Sequence, residues 1–125
     1  EMCRYYILRE GLDGNLNCFV TQVGTWWGTE IIENDAGQKK IQSADVDVVG
    51  LAPSERAMIV GECKFKNEKT GRDVLETLVR RSRAIPSNYR IVQYLLFSRG
   101  GFTGWYEKEA PEDVRTFSLD DLYRK

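Results

Sequence analysis

The sequence predicts an α/β fold in which helices flank a mixed central sheet. Two segments, 43–51 and 57–66, alternate apolar with other residues at period 2, as β-strands do. A helical segment, 72–85, leads into the near-continuous apolar run 89–97, which is typical of a strand buried on both faces. A helix between two strands of one sheet is a crossover connection, so the strands that it joins are expected to be parallel and the whole sheet mixed.

Local patterns predict the other elements of the chain. Apolar residues at helical spacing predict a first helix that Gly11 ends, and a run rich in β-formers predicts the first strand. Thr70 is placed to cap the long helix, with Asp73 three residues on, and Pro86 ends it. In chain order we expect a helix at 1–10, a turn at 11–14, a strand at 18–27, a polar loop at 34–40, the two central strands joined by a hairpin turn at 52–56, the helix at 72–85, the strand at 89–97, a short helix at 105–109, an edge strand at 114–117 and a terminal helix from 119.

Composition predicts one soluble domain over residues 1–125, with 42% apolar and 11% aromatic residues and no apolar run that would span a membrane. Since the chain opens on Glu1 inside a predicted helix, we expect a piece of a longer protein. The three cysteines lack CxxC spacing, which argues against a disulfide framework and a zinc site and favours the cytoplasm. The chain has no histidine, which excludes Ser-His-Asp and Cys-His catalysis.

Charge is distributed unevenly along the chain. The net charge is −1, but nine Lys/Arg and four acids give residues 62–99 a charge of +5. A basic side beside an acidic site suits a phosphate substrate, so Lys66, Arg80 and Arg81 are candidate nucleic-acid contacts. The alternative is an ordinary solvated helix face whose arginines offset the helix dipole.

The two central strands carry charges that a buried strand tolerates only when they are paired or bound to a metal. Asp45 and Asp47 share one strand face, and Glu62, Lys64 and Lys66 share a face of the next. In a hairpin, Asp47, Glu62 and Lys64 converge. The carboxylates would hold Mg²⁺ or Mn²⁺ and the lysine would orient a water or stabilise negative charge, as phosphodiester cleavage requires. The alternative is a cross-strand Asp–Lys pair on a solvated sheet face.

This arrangement makes a geometric prediction. Asp47 and Glu62 should lie close enough to share one metal, and the side chains should open to solvent beside the first helix. Adjacent Trp26 and Trp27 would face opposite sides of a strand. We expect one in the core and one under a neighbouring helix; the alternative is a base-stacking platform. No Gly-rich phosphate loop is present, so no ATP site is expected in these residues.

The Asp47 to Glu62-x-Lys64 order, in which Glu62 follows Asp47 by 15 positions, resembles the signature of the PD-(D/E)xK nuclease superfamily. The element order α-β-β-β-α-β is similar to the core of that restriction-endonuclease-like fold, as in archaeal Holliday-junction resolvases. More closely, the chain resembles a domain of unknown function at the C-terminus of prokaryotic, chiefly archaeal, AAA-type ATPases. The segments that carry this resemblance are 24–28 (GTWWG), 46–49 (VDVV), 61–65 (GECKF) and 96–103 (LFSRGGFT).

The resemblance implies a role for each matching residue. Asp47, Glu62 and Lys64 would handle the metal and the phosphate, and Glu1 would stand where related nucleases carry a first-helix glutamate. The family shows a glutamate at the position of Asp45. Two hypotheses follow: a Mg²⁺-dependent DNA endonuclease coupled to an attached ATPase, and a non-catalytic module that binds DNA or regulates that ATPase. Either allows a homodimer. A fold alone does not decide between them.

Overall fold

The computed structural model describes residues 2–118, in which a mixed five-stranded sheet is flanked by helices. Sheet order follows chain order, β1-β2-β3-β4-β5. The first three strands are antiparallel, and β4 and β5 run parallel to β3, so the predicted mixed sheet is confirmed. The elements are α1 (Met2–Leu12), β1 (Gln22–Glu33), β2 (Lys39–Ala52), a 3₁₀ turn (Pro53–Glu55), β3 (Ala57–Lys64), α2 (Arg72–Ser82), β4 (Arg90–Ser98), α3 (Trp105–Lys108) and β5 (Val114–Ser118).

The core consists of two apolar layers, one on each face of the sheet. Ile7 of α1 packs with Ile59 and Phe97 on one face, and all three are fully buried. Leu75 and Leu78 of α2 pack on the other face. Burial of each such side chain contributes about 1.5–3 kcal/mol, so both helices are held to the sheet mainly by apolar contact. The central strand β3 is buried on both faces over its first six residues.

The first strand differs from its predicted bounds. It begins at Gln22 and continues to Glu33, where it pairs with Lys39 of β2 across a five-residue loop. Backbone pairing with β2 extends β1 beyond its predicted end at residue 27. The same pairing shortens the loop that was predicted at 34–40. Inside the loop, Asn34 Oδ1 accepts the N–H groups of Ala36 and Gln38 at 3.0 and 2.9 Å, a side-chain turn that fixes the hairpin.

Three helix ends also differ from prediction. Gly11 lies inside α1, where a Cβ atom would stand 2.5 Å from Val20 Cβ, so this glycine allows close packing. The N-cap of α2 is Gly71 and not Thr70, whose Oγ1 donates to Ser98 Oγ at 2.8 Å. α2 ends at Ser82 and not at the predicted residue 85, because residues 81–85 form single hydrogen-bonded turns.

The remaining predictions concern the β2–β3 turn, the edge strand and the two ends of the chain. The hairpin turn between β2 and β3 and the strand β5 at the sheet edge are confirmed. The predicted helix from Leu119 and the side chain of Glu1 lie outside the described residues. Within residues 2–118, no helix is long and apolar enough to cross a membrane.

Candidate active site

The candidate site lies where β2 and β3 separate. Gly24 of β1 pairs with Val49 of β2, but Trp26, two residues later, pairs with Val46, three residues earlier. The strand β2 therefore has one extra residue in this stretch, which includes Asp47. Its effect is visible in the packing, because Val46 belongs to the α2-side core and Val48 to the α1-side core. The predicted pair Asp45 and Asp47 has different partners, because Asp45 contacts Arg81 of α2 and Asp47 lies near Cys3 and Arg4 of α1.

Where the backbone pairing of β2 with β3 ends, the Asp47 carboxylate takes the place of a backbone carbonyl as the hydrogen-bond acceptor. Val48 and Gly61 form the last backbone pair in this direction. Beyond it, Asp47 Oδ2 accepts the Cys63 N–H at 3.0 Å. Thr25 Oγ1 in turn donates to the Asp47 carbonyl at 2.9 Å, which fixes the backbone on the other side. The carboxylate is therefore held in place by β1 and β3 together.

Glu62 lies beside Asp47 and is only 7% exposed. Burial, a hydrogen bond with the Asp47 side chain and the negative charge of Asp47 raise the pKa of Glu62 to about 9. At neutral pH Glu62 is therefore protonated, and its carboxyl group donates a hydrogen bond to the Asp47 side chain. This pair has the predicted proximity, but the burial of Glu62 differs from the expected opening to solvent.

Lys64 and Asp47 face two neighbouring openings. Asp47 lines a groove of about 360 Å³ together with Cys3, Arg4 and Phe65. Lys64 is partly exposed and lines a second cavity of about 250 Å³ that also contains Lys66. Its positive charge acts on Glu62, where it opposes the rise in pKa. Glu62 thus interacts with both other candidate residues: it is hydrogen-bonded to the Asp47 side chain and is affected by the charge of Lys64.

Arg80 and Arg81 are engaged with carboxylates of the β1–β2 hairpin. Arg80 Nε lies 2.6 Å from Glu30 Oε1, and Arg81 Nε lies 3.3 Å from Glu30 Oε2. Arg81 Nη1 also lies 3.3 Å from Asp45 Oδ1. Glu30 is buried, and the Arg80 contact holds its pKa below the ordinary value. Lys66, by contrast, is exposed beside the candidate site.

The adjacent tryptophans have different environments. Trp26 packs against the α2-side core, as predicted for one of them. Trp27 is 75% exposed, so the expectation that it lies under a helix is wrong. The alternation of β1 indicated that they face opposite sides, but nothing in the pattern indicated that one side is uncovered.

Cys3 and Cys63 form a contact that sequence reasoning missed. Their side chains are hydrogen-bonded, and both cysteines are free thiols. The contact with Cys3, together with burial and the nearby acids, raises the pKa of Cys63. A protonated Cys63 is a poor nucleophile, which disfavours a thiol mechanism. Within residues 2–118, no group of three or more His, Cys, Asp or Glu side chains is arranged to hold a metal.

Comparisons with known proteins place the chain in a family. One structural neighbour is the crystal structure of a protein of unknown function, AF1548, with 14% identity and a TM-score of 0.48. The alignment covers 95% of this chain and 58% of that one, so the chain spans little more than half of its length. None of the curated proteins matches. A family model described as "Archaea bacterial proteins of unknown function" matches residues 1–75, and the chain therefore belongs to this family, DUF234.

Proposed function

We propose that this domain hydrolyses phosphodiester bonds in DNA with Mg²⁺ or Mn²⁺, on a restriction-endonuclease-like PD-(D/E)xK core. One observation carries the proposal: the Asp47 and Glu62 carboxyl groups contact each other at the fork between β2 and β3, beside Lys64. The antiparallel β1–β2–β3 meander followed by the α2 crossover to β4 supports the same core.

The carboxyl pair fits a divalent cation. Two carboxyl groups in hydrogen-bond contact are close enough for a cation to replace the proton of Glu62 and to stabilise both negative charges. Asp47 and Glu62 would be the ligands, and two carboxylates suit Mg²⁺, which keeps several waters or phosphate oxygens. When bound, the ion would polarise the phosphate and lower the pKa of a water.

The residues of the chain supply positioning and charge. The Cys63 N–H orients the Asp47 carboxylate, and the Thr25 hydroxyl anchors the Asp47 backbone. Lys64 is partly exposed, so its ammonium can bind a phosphate oxygen and stabilise negative charge as it develops. Lys66 lines the same cavity and would contact a flanking phosphate.

The resemblance of the 24–28, 46–49, 61–65 and 96–103 segments supports a larger assembly. In it, this domain would follow an AAA-type ATPase in the same polypeptide. Since residues 1–125 contain no Gly-rich phosphate loop, ATP would bind in that other domain. Cleavage would then be coupled to the ATPase.

A second candidate function is a non-catalytic module that binds DNA or regulates the ATPase. The burial of Glu62 favours it, because a metal must reach this carboxylate. The ion pairs of Arg80 and Arg81 with Glu30 favour it as well, since they compensate charge that would otherwise attract phosphates.

Nicking of supercoiled plasmid DNA at low salt separates the two candidates. The wild type should nick in Mg²⁺ or Mn²⁺, and Asp47→Ala and Glu62→Ala should each abolish nicking. In EDTA, Asp47→Ala should bind DNA as well as the wild type or more tightly, because a negative charge near the phosphates is removed. Glu62→Ala should bind DNA as well as the wild type, because Glu62 is protonated there at neutral pH. Glu33→Ala, at an exposed acid far along β1, is the matched control and should nick normally.

Two results would contradict the proposal. Nicking that persists in Glu62→Ala would mean a contaminating nuclease or another site. A wild type that does not nick with either metal, even with its ATPase attached, would favour the non-catalytic module.

A further inference from the structure

Two exposed aromatic rings lie on the side of the sheet where Asp47 meets solvent. Trp27 is 75% exposed and Phe65 is 63% exposed. Phe65 lines the Asp47 groove directly. The neighbouring Trp26 packs against the α2-side core, so Trp27 faces the other side of β1, on which Cys3 and Arg4 of α1 line the Asp47 groove.

Positive charge lies beside this aromatic pair. Phe65 is preceded by Lys64 and followed by Lys66, and both lysines line the neighbouring 250 Å³ cavity with Lys69. Glu68 and Asp73 are the acids that also line it, so lysines outnumber acids there. The acid opposite Trp27 on β2 is compensated, because it pairs with an arginine of α2 at 3.3 Å. At the end of β3, the Phe65 ring thus lines the groove, and the neighbouring lysines line the next cavity.

This combination matches the chemistry of unpaired nucleic acid. Inside a duplex, both faces of each base are covered by the neighbouring bases, so a protein ring stacks at less cost on an unpaired base than between paired ones. Proteins that bind single strands combine exposed aromatic platforms with a cationic track for the backbone. Trp27 and Phe65 would provide the platforms, and Lys64, Lys66 and Lys69 the track.

We propose that the substrate of this site is DNA with unpaired bases, whose bases stack on Trp27 and Phe65 while its phosphates contact the lysine cavity. This inference rests on the proposed function of the site, because it assumes that DNA is the ligand. It adds that single-stranded DNA, or a segment with unpaired bases, binds more tightly than duplex.

The test is binding in EDTA, measured by fluorescence anisotropy with a labelled oligothymidine of about 15 nucleotides and a duplex of the same length. Trp27→Ala and Phe65→Ala should each weaken oligothymidine binding about 5- to 100-fold. Each should change duplex binding less than about twofold, because a duplex offers the rings no unpaired base to stack on. The matched control is Ile31→Ala, an equally exposed apolar side chain further along β1, which should leave both affinities unchanged.

Three outcomes would overturn the inference: no binding of oligothymidine by the wild type, unchanged oligothymidine affinity in both aromatic variants, or equal losses for the two DNA forms. A wild-type dimer that Trp27→Ala and Ile31→Ala both convert to monomer, with DNA binding unaffected, would also overturn it and would assign this surface to self-association. The test is independent of cleavage. Aromatic-dependent binding without nicking supports the inference and contradicts only the enzyme; nicking with unchanged binding contradicts only the inference.

Discussion

Glu62 is a buried acid whose protonation should control stability in the absence of metal. Its ordinary pKa of 4.5 rises to about 9 in the folded protein. Between these values the folded chain holds a proton that the unfolded chain has released, so stability falls as pH rises through this window, by about 1.4 kcal/mol per pH unit. In EDTA, urea unfolding should show the wild type losing about 3–4 kcal/mol between roughly pH 5 and 8.

Glu62→Gln should remove most of that loss, because the amide cannot ionise and still donates to Asp47. Its stability should stay nearly constant over the same window and exceed that of the wild type at pH 8. Glu33→Gln, at an exposed acid, is the control and should keep the wild-type pH dependence. Parallel curves for wild type and Glu62→Gln would show that Glu62 does not hold a proton in the folded protein over this pH window.

Lys64 should matter more for cleavage than for stability. Because its side chain is only partly buried, Lys64→Met should change the free energy of unfolding by less than about 1 kcal/mol. The nicking rate should fall at least about 100-fold, since the methionine cannot stabilise charge on the phosphate. Lys40→Met, at an exposed lysine near the start of β2 and outside the lysine cavity, is the comparison and should nick nearly normally. An unchanged nicking rate in Lys64→Met would exclude a catalytic role for this lysine.

The β1–β2 hairpin is tied to α2 through Glu30. The glutamate is 5% exposed and contacts both Arg80 and Arg81. Glu30→Gln leaves two guanidinium groups without their counter-charge, so chemical unfolding should show a loss of about 3 kcal/mol at neutral pH. Since the pKa of Glu30 is lowered in the folded protein, its contribution is present above about pH 4.5 and is lost as pH falls through the lower folded value.

Glu76→Gln is the matched control for Glu30→Gln. Glu76 also pairs with an arginine of α2, but its side chain is 63% exposed. An exposed pair contributes little, so this change should cost less than about 0.5 kcal/mol. Equal losses in the two variants would mean that the Glu30 pairs do not hold the hairpin to the helix.

The contact between α1 and the segment before β1 depends on Gly11. A Cβ atom at this position would stand 2.5 Å from Val20 Cβ, which is fully buried. Gly11→Ala should therefore cost about 1–3 kcal/mol, seen as a lower midpoint in thermal unfolding. Gly24→Ala is the control because a Cβ there meets nothing within 4 Å. Similar midpoints for Gly11→Ala and the wild type would mean that α1 can shift without cost.

Periodicity predicted the existence and type of these elements better than their ends. The alternation at 43–51 and 57–66 and the apolar run at 89–97 were sufficient to identify β2, β3 and β4. The end of α1 was misplaced because a glycine can serve close packing as well as termination. The end of β1 was misplaced because backbone pairing with β2 extends it to Glu33.

The sequence predicted the place of the candidate site but not its environment. Hairpin geometry alone was enough to bring Asp47 and Glu62 together. The irregularity at Asp47, the burial of Glu62 and the contacts of Glu30 with residues about 50 positions away depend on the packing of the whole molecule. Single-sequence patterns do not contain that packing, and the same limit concealed the exposure of Trp27.

The central claim is that Asp47 and Glu62 together bind a divalent cation. The most direct measurement is an anomalous difference map at the manganese edge from a crystal soaked in Mn²⁺ at about pH 8, a pH at which a bound cation can readily displace the proton on Glu62. The account predicts a peak within about 2.2 Å of an oxygen from each carboxylate, and no such peak in Asp47→Ala crystals soaked alongside. A map without a peak, in which Glu62 still donates to Asp47 at millimolar Mn²⁺, would contradict it.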